Sequence, residues 1–553
     1  MISDQAAACK DPVAERTASR SVPTQKRPEA ETRSPCGSGG NPKAPTSHAE
    51  ALKSTSIMGG STAIVMLIRM VRTKVLAVLL GPAGVGLEAV YDSVLSLART
   101  AVGLGIDNSG VRQIAAAVGT GDKRVIAGTV ITLRRVCRIL GVLGAAVLFL
   151  ARERISQIAF GHSGQAFNIG LLALIPLLGS LAGGQGALLQ GTRRIADLAK
   201  LSIFGALATA AFSIPMVWIW GLPAIPAYLI LTSAGTLFVS WLYVRKIPLE
   251  PMQVPVRQTL REARQLLQLG LVFLATGLMT TGVLFFLRIL VTRQEGVDGA
   301  GQFQAASALS MVYVGFVLQA MGTDFYPRLT AVESNDVRCN QLVNEQAEIS
   351  ILLALPGVLA TIAFAPWVIH LFYSEKFRLA GEILCWQVAG MLFRVNSWPM
   401  GYIILAKGRG ALMFWTDLMA YSFYAFLGWL GLKFIGLPGV GMAFLGLYIF
   451  HSGMIYLVVR RLSGFRWSPA NLKFAVIGVI TVAITLTSRL TLKEPWGTLT
   501  GFALASGTGC YCLFTLCGLI GPEKMNYYFK RVRLPFRMHE PDRHPDQDGS
   551  IER

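Results

Sequence analysis

Residues 54–106 read STSIMGGSTAIVMLIRMVRTKVLAVLL, then GPAGVGL, then EAVYDSVLSLARTAVGLGI. The outer two blocks are each long enough to cross a bilayer core of roughly 30 Å as an α-helix, which takes about 20 predominantly apolar residues. The loop between them, 81–87, carries no charge. Apolar stretches of this length recur almost to the C-terminus, and they do not alternate, so a β-barrel is excluded. Composition agrees: with 53% hydrophobic and 15% charged residues and a mean hydropathy of +0.51, the solvent of this chain is lipid.

Windows between charge and turn clusters predict about 14 spans, near 54–80, 88–106, 136–150, 167–189, 198–220, 224–244, 266–291, 300–322, 349–373, 383–405, 411–434, 440–459, 474–492 and 497–520. The predicted fold is an all-α polytopic membrane protein. Its parts are a disordered N-terminus (1–53), an N-lobe (54–246), a linker (247–265), a C-lobe (266–461), an extra helix pair (470–520) and a tail (521–553). The formal net charge of +20 is read as loop cations that set orientation, with no nucleic acid as partner. Cations before the third span (Arg112, Lys123, Arg124, Arg134, Arg135) and before the seventh (Arg245, Lys246, Arg257, Arg261, Arg264) place those loops and both termini in the cytoplasm. The eight cysteines are scattered with no pair of CxxC motifs, and no phosphate-binding loop or HExxH motif occurs, so no cofactor or metal is expected.

A weak repeat runs through the chain at roughly 215 residues, as in transporters built from two related halves. Gly84-Val85-Gly86-Leu87 matches Gly299-Ala300-Gly301-Gln302, and Asp107 with Arg112 resembles Asp324 with Arg328. Gln190-Gly191-Thr192-Arg193 parallels Ala406-Lys407-Gly408-Arg409, and Gln157-Ile158-Ala159-Phe160 parallels His370-Leu371-Phe372-Tyr373. Each half holds about six spans, and the last two spans lie outside the repeat.

Ionisable groups at bilayer depth cost about 2.5–3.5 kcal/mol each on insertion scales, so they mark candidate function. Arg69 and Arg72 share a face of the first span, near Lys74, and Glu88, Asp92 and Arg99 share a face of the second. Arg288 is read as the repeat partner of Arg72; Arg394 with Asn396 and Asp417 follow in the second half. The candidate substrate-binding set is therefore Arg69, Arg72, Asp92, Arg99, Arg288 and Arg394. Facing one cavity, these guanidiniums would suit a diphosphate, whose oxygens they bind bidentately. The competing roles are snorkelling for Arg69 and Lys74, and structural pairing of Asp92 with Arg99 or Asp417 with Arg394.

Several stretches in order resemble the Wzx-type O-antigen and exopolysaccharide flippases, in the superfamily that also contains MATE-type multidrug exporters and lipid II flippases. They are Lys74-Val75-Leu76-Ala77 through 81–87, Gly105 to Val111, Phe325-Tyr326-Pro327-Arg328-Leu329, and Glu375-Lys376-Phe377 through Trp386-Gln387 to Tyr402–Gly408. The resemblance spans about 54–461. It implies two six-helix lobes facing each other in a V, and a polyprenyl-diphosphate-linked oligosaccharide as cargo in the inner membrane, with membrane lipids around it. It gives Arg72 and Arg99 cavity roles by their place in their helices. The long N-terminus and the terminal helix pair depart from the shorter O-antigen flippases. H+ or Na+ as coupling ion, and polysaccharide polymerase or assembly proteins as partners, are further expectations. A lipid II-type flippase, whose branch the terminal helix pair resembles more, a MATE-like exporter of small molecules and a membrane-embedded glycan-modifying enzyme are the competing readings; the last lacks a large loop to carry catalytic groups.

Overall fold

The computed structural model describes residues 47–248, 254–492 and 495–520; the expected tail (521–553) and most of the expected disordered N-terminus lie outside them. Among the described residues all regular structure is helical. In chain order the helices are α1 (Ser47–Gly103), α2 (Ile106–Gly119), α3 (Lys123–Leu150), α4 (Arg152–Phe160), α5 (Ala166–Leu172), α6 (Leu174–Gly191), α7 (Ile195–Trp220) and α8 (Ala224–Val244). They continue as α9 (Val256–Thr330), α10 (Asp336–Ala363), α11 (Ala365–Phe372), α12 (Arg378–Ala406), α13 (Gly410–Ile435), α14 (Leu437–Ser463), α15 (Pro469–Thr491) and α16 (Trp496–Ile520).

Two of these helices are broken by one residue each. Gly81 interrupts α1 at φ 67°, ψ −167°, and Gly296 interrupts α9 at φ 72°, ψ −174°. Only glycine adopts that geometry without strain, because any Cβ would clash with the local backbone. The breaks are 215 residues apart, and the same interval relates Gly221 (φ 64°) to Gly436 (φ 78°) and Arg193 (φ 56°) to Gly408 (φ 67°). Hydrogen bonding repeats with it: Arg194 N–H donates to Leu189 O at 2.9 Å, and Arg409 N–H to Ile404 O at 3.0 Å. Packing repeats too, since α7 on α8 corresponds to α13 on α14, and α3 on α6 to α10 on α12. The backbone thus corrects the sequence pairing of Arg193 with Arg409 by one residue.

By length and apolarity, nine segments among the described residues are able to cross a membrane, fewer than the 14 windows expected. Four that fall short carry charge: both parts of α1 with Arg69, Arg72, Glu88, Asp92 and Arg99, α3 with Arg134, Arg135 and Arg138, and α12 with Glu382 and Arg394; the seventh and eighth windows are joined in one segment, Leu274–Val312. The outer surface still reads as lipid-facing, with Leu150 82%, Phe514 81% and Trp218 75% exposed. The third window, expected at 136–150, is the end of a 28-residue α3 that begins at Lys123, capped by the Asp122 carboxylate accepting from Arg124 N–H at 2.8 Å. The expected linker 247–265 is shorter than predicted, because α9 starts at Val256. Its Arg, Gln, Leu, Glu and Ala residues are good helix formers, so charge alone did not end the helix.

Outside the repeat, α15 and α16 pack on α10. A polar clasp fixes the link between α14 and α15. Asn344 Oδ1 accepts from Ser468 N–H at 2.8 Å and Asn471 Nδ2 at 2.9 Å, while Asn344 Nδ2 donates to Arg466 O at 3.1 Å. Asn344→Ala is expected to weaken docking of α15 by about 1–2 kcal/mol, since it removes two part-buried bonds and one exposed bond while Asn471 Nδ2 keeps the Asn344 carbonyl. Thermal unfolding of the purified chain in detergent would show this as a lowered midpoint, and an unchanged midpoint would remove the clasp from the account.

Candidate functional site

The two glycine breaks build the site. Arg72 and Glu88 are 16 residues apart, which would separate them by about 24 Å on a straight helix. Instead Arg72 Nη2 meets Glu88 Oε1 at 2.6 Å, because the chain reverses at Gly81. Arg72 Nε also donates to Ser213 Oγ of α7 at 2.9 Å, and its guanidinium lies 5.4 Å from the ring centroid of Tyr228 in α8. The pair is largely buried, with side chains 14% and 21% exposed. Desolvating two charges consumes most of what their attraction returns, so such a pair is poor evidence for stability and better evidence for a role. The Tyr228 hydroxyl is buried beside the pair.

Gln304 is likewise 16 residues beyond Arg288, and the reversal at Gly296 lets Arg288 Nη2 donate to Gln304 Oε1. Arg288 Nη1 crosses to the second segment of α1, donating to Ala89 O at 2.9 Å and to Ser93 Oγ. All of these acceptors are neutral, and among the described residues the buried Arg288 Nε has no hydrogen-bond partner. Asp92 acts on it through space but makes no ion pair with it among the described residues. In the 215-residue frame Arg288 corresponds to Thr73, not to Arg72 as the sequence reading had it. One residue is about 100° of helix rotation, so Arg72 turns into its own half while Arg288 turns across to the other.

Two cavities meet at Arg72. A small one of about 150 Å³ is lined by Arg72, Glu88 and Asp92 with Gln304, Ala308 and Tyr373. A larger groove of about 640 Å³ runs along α1, α7 and α8, past Arg69 and Arg72. Thr73 lines it beside Arg72, and five further hydroxyls, those of Ser61, Thr62, Ser202, Thr209 and Thr236, each donate their hydrogen to a carbonyl of their own helix. What they present to the groove is acceptor lone pairs, while the arginines present donors.

Of the predicted set, Arg69, Arg72 and Asp92 line these cavities and Arg288 stands behind their wall. Arg99 and Arg394 do not join them. Arg99 is exposed and runs past Gly179 of α6. Arg394 lies over the Tyr448 ring at 5.5 Å and reaches Met311 Sδ at 2.9 Å. Neither Asp92–Arg99 nor Asp417–Arg394 is an ion pair among the described residues. Sequence reasoning left Glu88 out of the site and gave no signal for Ser93, Ser213, Tyr228 or Gln304, which are neutral or common residues in membrane helices. The spacing of Arg72 and Glu88 about the Gly81-Pro82 break was the available clue.

The profile of the polysaccharide biosynthesis protein family matches residues 75–380, more than half of the chain. The chain belongs to this family. It is 26% identical over 409 residues to the lipid III flippase of Escherichia coli K12, covering 70% of this chain and 94% of that one, and equally to the lipid III flippase of Shigella flexneri. Among solved structures, the lipid II flippase MurJ in an inward closed conformation superposes with a TM-score of 0.65 at 12% identity, over 84% of this chain and 99% of that one. An inward-facing multidrug resistance MATE family transporter of the MOP superfamily gives 0.59 at 16% identity, over 78% and 96%. These likenesses establish the fold of this family member as MATE- and MurJ-like. The matched region contains Glu88, Asp92, Arg288 and Gln304, and it begins three residues after Arg72.

Proposed function

We propose that this chain moves a polyprenyl-diphosphate-linked oligosaccharide across the bacterial inner membrane by alternating access, leaving the cargo chemically unchanged. The observation that carries the reading is the position of Arg72. Its guanidinium stands in the wall between a groove of hydroxyl acceptors and a polar cavity shared by both halves. That arrangement suits a head group with sugar hydroxyls to donate and phosphate oxygens to accept. The lipid III flippase relatives support the same cargo class. Arg69, Arg72 and Arg288 outnumber Glu88 and Asp92 around the cavities, which favours an anionic ligand over the cations of a drug exporter.

In this reading the helices make 14 crossings, counting each part of α1 and α9 once, α5 with α6 as one, and leaving out the short helices α2, α4 and α11. Two six-helix halves, 54–246 and 266–461, rock about the site, and 470–520 adds a helix pair. The basic loops before α3 and α9 face the cytoplasm, which puts Gly81 and Gly296 on the extracytoplasmic side. The 150 Å³ cavity is then a nearly closed state that must widen to admit cargo.

The test is transport by the purified full-length chain in proteoliposomes containing a fluorescent polyprenyl-diphosphate oligosaccharide. Label initially protected in the inner leaflet should become accessible to an impermeant quencher at a rate well above that of empty vesicles. A folded chain that leaves the rate unchanged would overturn the cargo assignment.

A further inference from the structure

We propose that Lys74 and Arg293 form a reciprocal pair of clasps that holds the extracytoplasmic side shut, and that their release sets the balance between the inward- and outward-open states. The proposal rests on the two-half, alternating-access reading above. Lys74, in the first segment of α1, donates from Nζ to His370 O at 2.6 Å and to Tyr373 O, at the C-terminal end of α11 in the second half. Arg293, in the first segment of α9, donates from Nε to Ile158 O at 2.9 Å and from Nη2 to Gln157 O at 2.6 Å, at the C-terminal end of α4 in the first half. Each half therefore grips the other, and the two acceptor segments are the ones that match in the sequence repeat.

The chemistry is suited to reversible closure. The last carbonyls of a helix are short of partners within it and carry the negative end of its dipole, so a cation there is favoured even at Gln157 O, which also accepts from the capping Gly161 N–H. Neither Lys74 nor Arg293 forms an ion pair among the described residues, so each is free to leave carbonyls that water replaces readily. The two cations are not register equivalents: in the repeat frame they differ by four residues, about one helical turn, so each sits on the same face as the other's counterpart. Between the clasps the halves meet backbone to backbone. A Cβ on Gly86 would lie 1.9 Å from Val297 O, and one on Gly301 would lie 2.0 Å from Pro82 O. Those four positions exchange under the 215-residue repeat, as residues at a two-fold contact do. The glycine crossing is the seat, and the cations are its fasteners.

The test reads conformation and needs no cargo. Ala308 lines the small cavity seven residues, about 10 Å, inward of Gly301. Ala308→Cys in the full chain is labelled in right-side-out vesicles with an impermeant maleimide, and the parent chain supplies the background from its native cysteines. Lys74→Gln and Arg293→Gln should each raise the labelling rate several-fold and together at least tenfold, while Lys74→Arg should label as slowly as the parent. A double variant that labels at the parent rate, or a Lys74→Arg chain as fast as Lys74→Gln, overturns the clasp. If Lys74→Gln does not reach the membrane, Arg293→Gln decides the matter, because Arg293 is exposed and fills no packing space. Faster labelling supports the clasp even where the parent moves no glycan lipid, so the two readings fail separately.

Discussion

Gly86→Ala and Gly301→Ala chains are expected to insert and fold yet to lose the closed extracytoplasmic seam. The neighbours that an added Cβ would strike are Val297 O and Gly301 N for Gly86, and Pro82 O and C for Gly301. All are backbone atoms, which cannot swing aside as the end of a side chain can. Ordinary contact needs the segments to separate by roughly 1.5 Å. Overpacking of this kind costs about 1–3 kcal/mol in a rigid core. Under the proposed alternating access the protein has a second arrangement in which the seam is parted, so the strain should appear as a population shift of about 5–150-fold toward the outward-open state. The measurement is the same maleimide accessibility of Ala308→Cys, with transport measured in parallel. Labelling should rise sharply in either variant while transport falls, since a seam that cannot close stops the cycle. Parent-like labelling in both would mean that the helices slide without parting and that the seam is not a gate.

Replacing Arg72 should have the largest effect on transport itself. Arg72→Ala removes the donor to Glu88 and Ser213 together and strands a carboxylate that is only 21% exposed. Breaking one side of a buried pair costs about 3–5 kcal/mol, an upper bound for this partly open site. Surface glycan in a flippase-deficient strain is expected to fall to the background of the empty vector, with the variant still present in the membrane. Arg72→Lys should fail to restore it, because an ammonium cannot reproduce the two-pronged geometry that reaches Glu88 and Ser213 at once. Glu88→Gln separates structure from function. It relieves the competition between carboxylate and diphosphate for Arg72, so it should retain cargo binding, whereas Arg72→Ala with Glu88→Gln should recover folding stability without recovering transport. Recovery of both would make the arginine a structural partner of Glu88. Arg288→Ala is expected to abolish transport as well, through loss of the bridge from α9 to Ala89 and Ser93. Full complementation by either arginine variant would remove that residue from the site.

Much of this protein was legible before any fold was known. Long apolar blocks report the solvent directly, because it depends on composition over a local window. The repeat was visible through matches such as Gly84–Leu87 with Gly299–Gln302, since the close backbone crossing leaves no room for a Cβ at Gly86 or at its counterpart Gly301. Helix ends were less visible where charge and helix coexist, as at Val256 in the expected linker and at Lys123 before the expected third span. Apolarity marks the part of a helix that faces lipid, whereas backbone hydrogen bonding continues through polar turns.

The tertiary structure alone decided which charges meet. A list of membrane arginines did not separate Arg72 and Arg288 from Arg99 and Arg394, because a cavity depends on the rotation of each helix, and rotation is set by packing against neighbours distant in sequence. Being one residue out of register placed Arg288 against the opposite half and left Arg72 with Glu88. The clasps of Lys74 and Arg293 have no sequence signature for the same reason: their acceptors are main-chain carbonyls, which every residue carries, and only the folded chain brings a particular helix end within reach.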